Sequence, residues 1–248
     1  MTMDYKSTRN MIKGDLWDEW DSLELDQKLG VPIPSLQKPY PPESTLIDLV
    51  PPGDISIGTM PLLETIRLRQ SCRKYLPESL TMEELSFLLW ATQGVKSIMR
   101  DGYATRRTVP SGGSRHPFET YLAVQKVNSL TAGLYRYLAI EHKLLRLNDD
   151  PEIGSKISEA CADFALESAV TFIWTTVPYR TEWRYGPLAP KLIAQDSGHL
   201  CQNLYLACTA IHAGTCAVGA YNQAKMDSLL GVDGVDEFTV YCAPVGKC

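Results

Sequence analysis

Between Val31 and Gly53 the chain reads VPIPSLQKPYPPESTLIDLVPPG, a stretch with seven prolines. Each proline fixes φ and deletes a backbone donor, so this segment is held extended and cannot serve as a central element of a core. Ahead of it, MIKGDLWDEWDSLELDQ suits a short helix with Trp17, Trp20 and Leu23 on one side. A stiff arm carrying aromatic anchors lies on something, either its own domain or a partner subunit. The rest of the 248-residue chain, which is 44% hydrophobic overall, can bury a full core. The expected division is a proline-rich arm over residues 1–58 and one domain over residues 59–248.

The formal net charge is −5, and Lys and Arg are scattered without a basic stripe. That argues against nucleic acid or an anionic membrane as a partner and points to a small-molecule substrate or a protein. No apolar run is as long as a membrane span, and the opening MTMDYKSTRN lacks the apolar core of a secretory signal. A cytoplasmic protein is expected. The seven cysteines (72, 161, 201, 208, 216, 242, 248) include no C-x-x-C pair, which argues against a disulfide framework and against a thiolate zinc site. Free thiols packed as small hydrophobes are expected, with no role for Cys248. His116, His142, His199 and His212 have no ligand-like spacing with carboxylates or thiols, so no metal is expected, and His199 reads as a packed or capped residue.

Periodicity places helices over 61–70, with Leu62, Leu63, Ile66 and Gln70 on one face, and after Thr81, where Glu84 completes a capping box and Gly94 suits the exit. Strands are expected at 118–127, at GLYRYLAI and HKLLRL around Glu141, at 168–177 buried on both faces, and at 237–246. Between the last two, a long helix covers roughly 189–212, with Gly214 to end it. Helices do not alternate regularly with strands, which indicates an α+β fold.

Four places carry chemistry. In RLRQSCRKY, Arg69, Ser71 and Arg73 alternate past a helix, presenting two guanidinium forks and a hydroxyl to one anion, or simply forming a solvated basic corner. In TVPSGGSRHPF, Gly112 and Gly113 allow a close backbone approach while Ser111 and Ser114 offer short polar groups to a flat ligand; the same residues also make an ordinary turn. A serine hydrolase would use an exposed Ser here, but the G-x-S-x-G elbow is absent. In GTCAVGAYN, Gly219 and Ala220 can set backbone amides against a ligand plane, or form a plain connection with Asn222 at a cap. WTTVPYRTEWRYG interleaves four aromatic residues with Arg180 and Arg184, as a lid over a flat anionic substrate or as a packing cluster.

Taken in order, Arg-x-Ser-x-Arg, then Pro-Ser-x-x-Ser-x-His-Pro before a strand, then DSGHLCQNLYLACTAIHAGTCAVGAY, the chain resembles the FMN-dependent nitroreductase superfamily, most of all its SagB-type dehydrogenase branch, over roughly residues 61–247. The resemblance implies a nitroreductase-like α+β fold with a mixed central sheet flanked by helices, in an intertwined homodimer with shared active sites that the arm would wrap. It implies that Arg69, Gln70, Ser71 and Arg73 hold the phosphate and ribityl end of FMN. Pro110, Ser111, Gly112 and Ser114 would reach the flavin bound mainly by the neighbouring subunit, with Ser114 standing where many relatives have Asn. Val218, Gly219 and Ala220 match the turn that presents an N–H to flavin N5, and Lys247 is the basic residue available near the C-terminus for the phosphate. NADH or NADPH is the implied donor. Tyr185 and Arg184 are the catalytic candidates, at the position where azoline dehydrogenases of the SagB branch carry a Lys-Tyr pair; an arginine stays protonated and is a poor base. The alternatives are a SagB-like azoline dehydrogenase, a flavin-binding protein without turnover, and a non-flavin structural homodimer.

Overall fold

The computed structural model describes residues 6, 9–165 and 167–248. Among the described residues, nine strands and six α-helices of known bounds alternate irregularly: strand β1 (Leu46–Asp48), helices α1 (Leu62–Leu68) and α2 (Met82–Gln93), strands β2 (Val95–Met99), β3 (Ala104–Arg107), β4 (Phe118–Val124), β5 (Gly133–Leu138) and β6 (Lys143–Asn148), helix α3 (Ile153–Ala160), strand β7 (Val170–Thr176), helices α4 (Tyr179–Tyr185) and α5 (Ala189–Ala210), strand β8 (Ala213–Thr215), helix α6 (Gln223–Leu230) and strand β9 (Phe238–Lys247).

Seven of the strands form one sheet in the order β1-β6-β5-β4-β7-β9-β8, while β2 and β3 form a separate hairpin. Every pair in the large sheet is antiparallel, where a mixed sheet was expected. Central strands β4 and β7 pair from Phe118↔Thr176 to Val124↔Val170, and all their residues are buried. Side chains alternate across the pleat, so one face sends Leu122, Val124, Phe172 and Trp174 toward Leu85, Leu88 and Leu89 of α2 and Leu200 and Leu204 of α5. The other face sends Tyr121, Ala123 and Ile173 toward Ile153 and Ile157 of α3 and Met226 and Leu230 of α6. The result is an α+β fold with a helix-covered sheet at its centre.

Local signals hold well. Thr81 Oγ1 accepts from the Glu84 amide while Glu84 reaches back to the Thr81 amide, so the capping box forms as read. Asn222 caps α6 by accepting from the Lys225 amide. Other expectations fail for non-local reasons. The apolar residues of α1 stay in water, with Leu62, Leu63 and Ile66 exposed by 66%, 60% and 56%, and only Thr65 is buried. Gly214 does not end α5: the helix stops at Ala210, His212 takes the positive φ of 53°, and Gly214 lies inside β8. A Cβ there would stand 2.5 Å from that of Cys72.

Cys72 and Cys248 are joined by a disulfide across 176 residues, contrary to the expectation of free thiols only. The sheet edge brings them together, because the Cys72 amide donates to Thr215 O (3.0 Å) in β8 and Lys247 of β9 pairs with Ala213. The other five cysteines are free and buried. Burial pushes the Cys201 thiol up to about 12, far from thiolate reactivity. Among the described residues no helix is long and apolar enough to cross a membrane.

The arm lies on its own domain. Its first part forms 3-10 turns at Asn10–Ile12 and Asp15–Trp17 instead of one short helix, and β1 joins the sheet at its edge. An extended proline-rich backbone makes no hydrogen bonds within itself and has fewer donors than acceptors, so burying its carbonyls requires donors from elsewhere. Three buried arginines supply them: Arg180 Nε to Ser35 O (2.9 Å), Arg107 to Leu36 O (3.2 Å), and Arg136 to Lys38 O and Pro39 O (both 3.0 Å). Two buried carboxylates answer the charge. Glu119 accepts from Arg180 (2.6 Å) and from the Lys38 amide (2.7 Å), while Glu237 pairs with the Lys38 ammonium and accepts from Tyr121 (2.9 Å) and Thr175 (2.7 Å). Burial, with Arg180 nearby, pushes the Arg107 guanidinium down to about 10, so it remains charged at neutral pH.

Glu119→Gln leaves the Arg180 guanidinium buried without its counter-charge, so it should destabilise the protein by about 3–5 kcal/mol in denaturant melts. A loss below about 1 kcal/mol would mean that the arm's carbonyls alone satisfy Arg180.

Candidate active site

Helix α1 ends at Leu68, where the Arg69 amide still donates to Thr65 O (3.0 Å) before the backbone turns extended. The chain then runs beside β8, with Ser71 bridged to Thr215. The Arg69 guanidinium lies 5.4 Å over the Tyr205 ring, and Ser71 Oγ shares a 3.2 Å hydrogen bond with Tyr205 Oη. The same hydroxyl oxygen accepts from the Ala217 amide (2.9 Å). Tyr205 thus ties the Arg69–Ser71 segment to the turn that follows β8. In that turn Val218 is fixed by a reciprocal pair with Cys242 (2.7 and 3.3 Å), leaving Gly219 and Ala220 exposed, with no atom within 4 Å of where a Gly219 Cβ would stand.

The predicted residues here divide. Arg69, Ser71, Val218, Gly219 and Ala220 form one surface through Tyr205, and Gln70 and Arg73 are exposed beside it. Lys247 lies next to this segment, its carbonyl accepting from the Leu76 amide (2.8 Å), but its ammonium is paired with Glu84.

The second group forms around the loop before β4. Ser111 Oγ donates to Asp196 Oδ2 (2.5 Å) and accepts from the His116 amide (2.9 Å), and the Gly112 amide donates to Asp196 (3.2 Å). The loop then tightens into a 3-10 turn, Gly112–Ser114, in which Gly113 takes φ 58°. A Cβ on Gly113 would fall 2.6 Å from Tyr185 Oη and 2.9 Å from Arg184 Nε, so glycine is required both by the φ and by the contact. Helix α4 therefore presses Arg184 and Tyr185 directly onto the loop. Pro110 is exposed at its start, and Ser114 is half-buried with φ 56°.

Asp196 anchors this loop, and reading the sequence alone did not single it out. Burial raises its carboxyl pKa, while bonds from Ser111 and Gly112 and the nearby His199 act the other way. His199 Nδ1 lies 3.6 Å from Asp196 Oδ1 and is half exposed on α5, not packed. Asp196 occupies a buried position between Ile193 and Leu200, so a carboxylate at an apolar period of the helix was the available signal. Tyr205, likewise unremarked, had none beyond its place on the same helix.

Ser111 donates to a carboxylate and not to an imidazole, so the loop forms no Ser–His pair of the hydrolase kind. Burial, with Arg107 alongside, pushes the His116 imidazole down to about 3, and its ring bonds to the Thr105 backbone. No group of metal-ligating side chains occurs among the described residues.

Asp196 and Tyr205 stand nine residues apart on α5, about 13 Å along its axis. No hydrogen bond among the described residues joins the two groups.

Residues 66–247 match the nitroreductase family. The chain belongs to that family. It is similar to MJ1384 of Methanocaldococcus jannaschii, named as a nitroreductase, at 30% identity over 203 residues, 79% of this chain and 98% of that protein. It is also similar to the trifolitoxin-processing protein TfxB of Rhizobium leguminosarum bv. trifolii, at 27% identity over 171 residues, 64% of this chain and 45% of that protein. A solved nitroreductase structure from Ralstonia eutropha JMP134 superposes with a TM-score of 0.69 at 25% identity, over 88% of this chain and 98% of that one. This nitroreductase-family chain is accordingly an oxidoreductase.

Asp196→Ala removes the acceptor of Ser111 and Gly112 and should cost about 1–3 kcal/mol, with faster amide exchange over residues 111–116. Unchanged exchange would show that Gly113 packing alone holds the loop. His116 gives a pH signature. It stays neutral in the fold but takes up a proton near 6.5 when unfolded, so its contribution is complete above that pH and is lost as pH falls toward 3. His116→Gln should flatten the acid-side decline in stability by at most about 1.4 kcal/mol per pH unit. Parallel curves would clear His116 of that role.

Proposed function

We propose that this nitroreductase-family protein is an FMN-dependent oxidoreductase acting as a homodimer, moving a hydride between NADH, NADPH or a small organic substrate and an acceptor. The observation that carries this reading is the Tyr205 hydroxyl, which makes Arg69, Ser71 and the Ala217–Ala220 turn one surface. An anionic, flat cofactor fits that surface: Arg69 and Arg73 offer guanidinium donors, Ser71 a hydroxyl and Gln70 an amide to a phosphate and polyol chain. The open space at Gly219 lets backbone amides approach a ring, as a Cβ would not.

When bound, the flavin supplies hydride acceptance and donation at N5. The protein's residues orient and enclose. Val218 is pinned to Cys242 so that the next amides keep a fixed direction. Pro110, Ser111, Gly112 and Ser114, in a loop anchored by Asp196, would form the opposing wall from a second copy, the family resemblance pointing to such shared sites. The exposed Leu62, Leu63 and Ile66 of α1 supply apolar surface for such pairing. Lys247 is engaged by Glu84, so the phosphate grip rests on Arg69 and Arg73.

A SagB-like azoline dehydrogenase is the second reading, favoured by the similarity to TfxB. Arg184 weighs against it, because a guanidinium holds its proton at working pH and cannot act as the base of a Lys-Tyr pair.

An absorption spectrum of the purified protein, followed by heat release and chromatography of the chromophore, tests the proposal. FMN stoichiometric with the subunit is expected, and Arg69→Ala should weaken FMN binding by about tenfold or more. A colourless protein that fails to bind added FMN would overturn the reading.

A further inference from the structure

The segment ahead of the proline-rich run ends on helix α4. Trp17 and Trp20 stack with ring centroids 5.1 Å apart and an interplanar angle of 27°. Both meet Tyr185, Trp20 at 5.6 Å and Trp17 edge-on at 6.0 Å. The Tyr185 hydroxyl in turn abuts Gly113, so an aromatic surface runs continuously from the arm to the 110–114 loop. With both indoles in place Tyr185 is 9% exposed, whereas Trp17 remains 41% exposed, so this aromatic surface keeps an open face.

The tryptophans are held in position. The Trp183 indole N–H donates to Val31 O (2.8 Å), the Gln27 amide donates to Trp183 O (2.9 Å), and Tyr179 Oη donates to Asp26 (2.7 Å). The Lys28 ammonium donates to Trp20 O (2.6 Å) and sits 5.3 Å over the Trp20 ring. Arg184 lies 5.5 Å from the Tyr185 ring; its Nε is buried against Gly113, and its terminal nitrogens carry no ion pair among the described residues. A fixed aromatic surface beside a guanidinium whose terminal nitrogens carry no ion pair suits a planar ligand with an anionic group.

We infer that Trp17 and Trp20 form, with Tyr185 and Arg184, the substrate-facing wall beside the 110–114 loop, and that this wall selects planar, conjugated carboxylates over non-planar ones. The inference rests on the proposed active site lying at that loop. The family match begins at residue 66, so this determinant of selectivity is carried by the arm, outside the region shared with the family.

The test compares the whole protein with the double variants Trp17→Ala/Trp20→Ala and Trp17→Phe/Trp20→Phe. Equilibrium dialysis measures binding of p-nitrobenzoate, planar, and cyclohexanecarboxylate, non-planar, while FMN content is read separately from the spectrum. The wild type should prefer p-nitrobenzoate, the alanine variant should lose about tenfold of that preference, and the phenylalanine variant should recover most of it. No preference in the wild type, an unchanged preference in the alanine variant, or a loss that phenylalanine does not restore would overturn the inference. Loss of FMN in the alanine variant alone would also overturn it, by making the tryptophans structural supports. Absence of FMN from the wild type would instead count against the flavin reading, and the comparison of the variants with the wild type, all equally without flavin, would still test the wall.

Discussion

Glu119 and Glu237, two carboxylates buried beneath the arm, set the position of nearly everything that precedes α1. The arm's proline-rich backbone needs donors, buried arginines supply them, and those cations need counter-charges inside the fold. Glu119 meets Arg180 and the Lys38 amide together, and Glu237 collects the Lys38 ammonium, Tyr121 and Thr175. The same arrangement reaches α4, because Arg180 belongs to that helix. Where the arm is seated, α4 is seated too, and with it the Arg184–Tyr185 pair against the glycine loop.

Helix α5 is the second organising element. At one position it offers a carboxylate to a loop, and nine residues later a phenol to a turn, so a single rigid rod carries both halves of the candidate site without joining them. The proposed two-fold pairing would let such halves complete each other.

Much of this was legible where the determining interaction is local. The Thr81–Glu84 capping box, the doubly buried strand at 170–176, the long α5 and the Asn222 cap each follow from residues within a turn or a strand of one another. Composition also marked residues 31–53 as unable to form a central element of a core, and the strand they contribute, β1, lies at the edge of the sheet. Long-range choices were not legible. Nothing near Cys72 indicates Cys248, because their meeting depends on the register of β8 with β9. The apolar positions of α1 predicted a buried face, but periodicity cannot tell which surface a seven-residue helix will meet. Short β8 and the β2–β3 hairpin escaped notice for the same reason, being defined by partners and not by their own patterns. In the site, Arg69, Ser71 and the 218–220 turn were readable as motifs, whereas the residues that organise them, Tyr205 and Asp196, act through contacts that only the fold creates.

The arginine-clamped arm has an evolutionary consequence. Arg107, Arg136 and Arg180 are useful to the fold only while a donor-poor backbone lies over them, and that backbone can be buried only while they are present. Neither side can be lost first without stranding unpaired polar groups in the interior. A boundary that looks like a removable extension by composition is therefore entrenched: shedding it requires several coordinated substitutions in the sheet, the hairpin and α4, and single-step trimming runs into a fitness barrier at its first step.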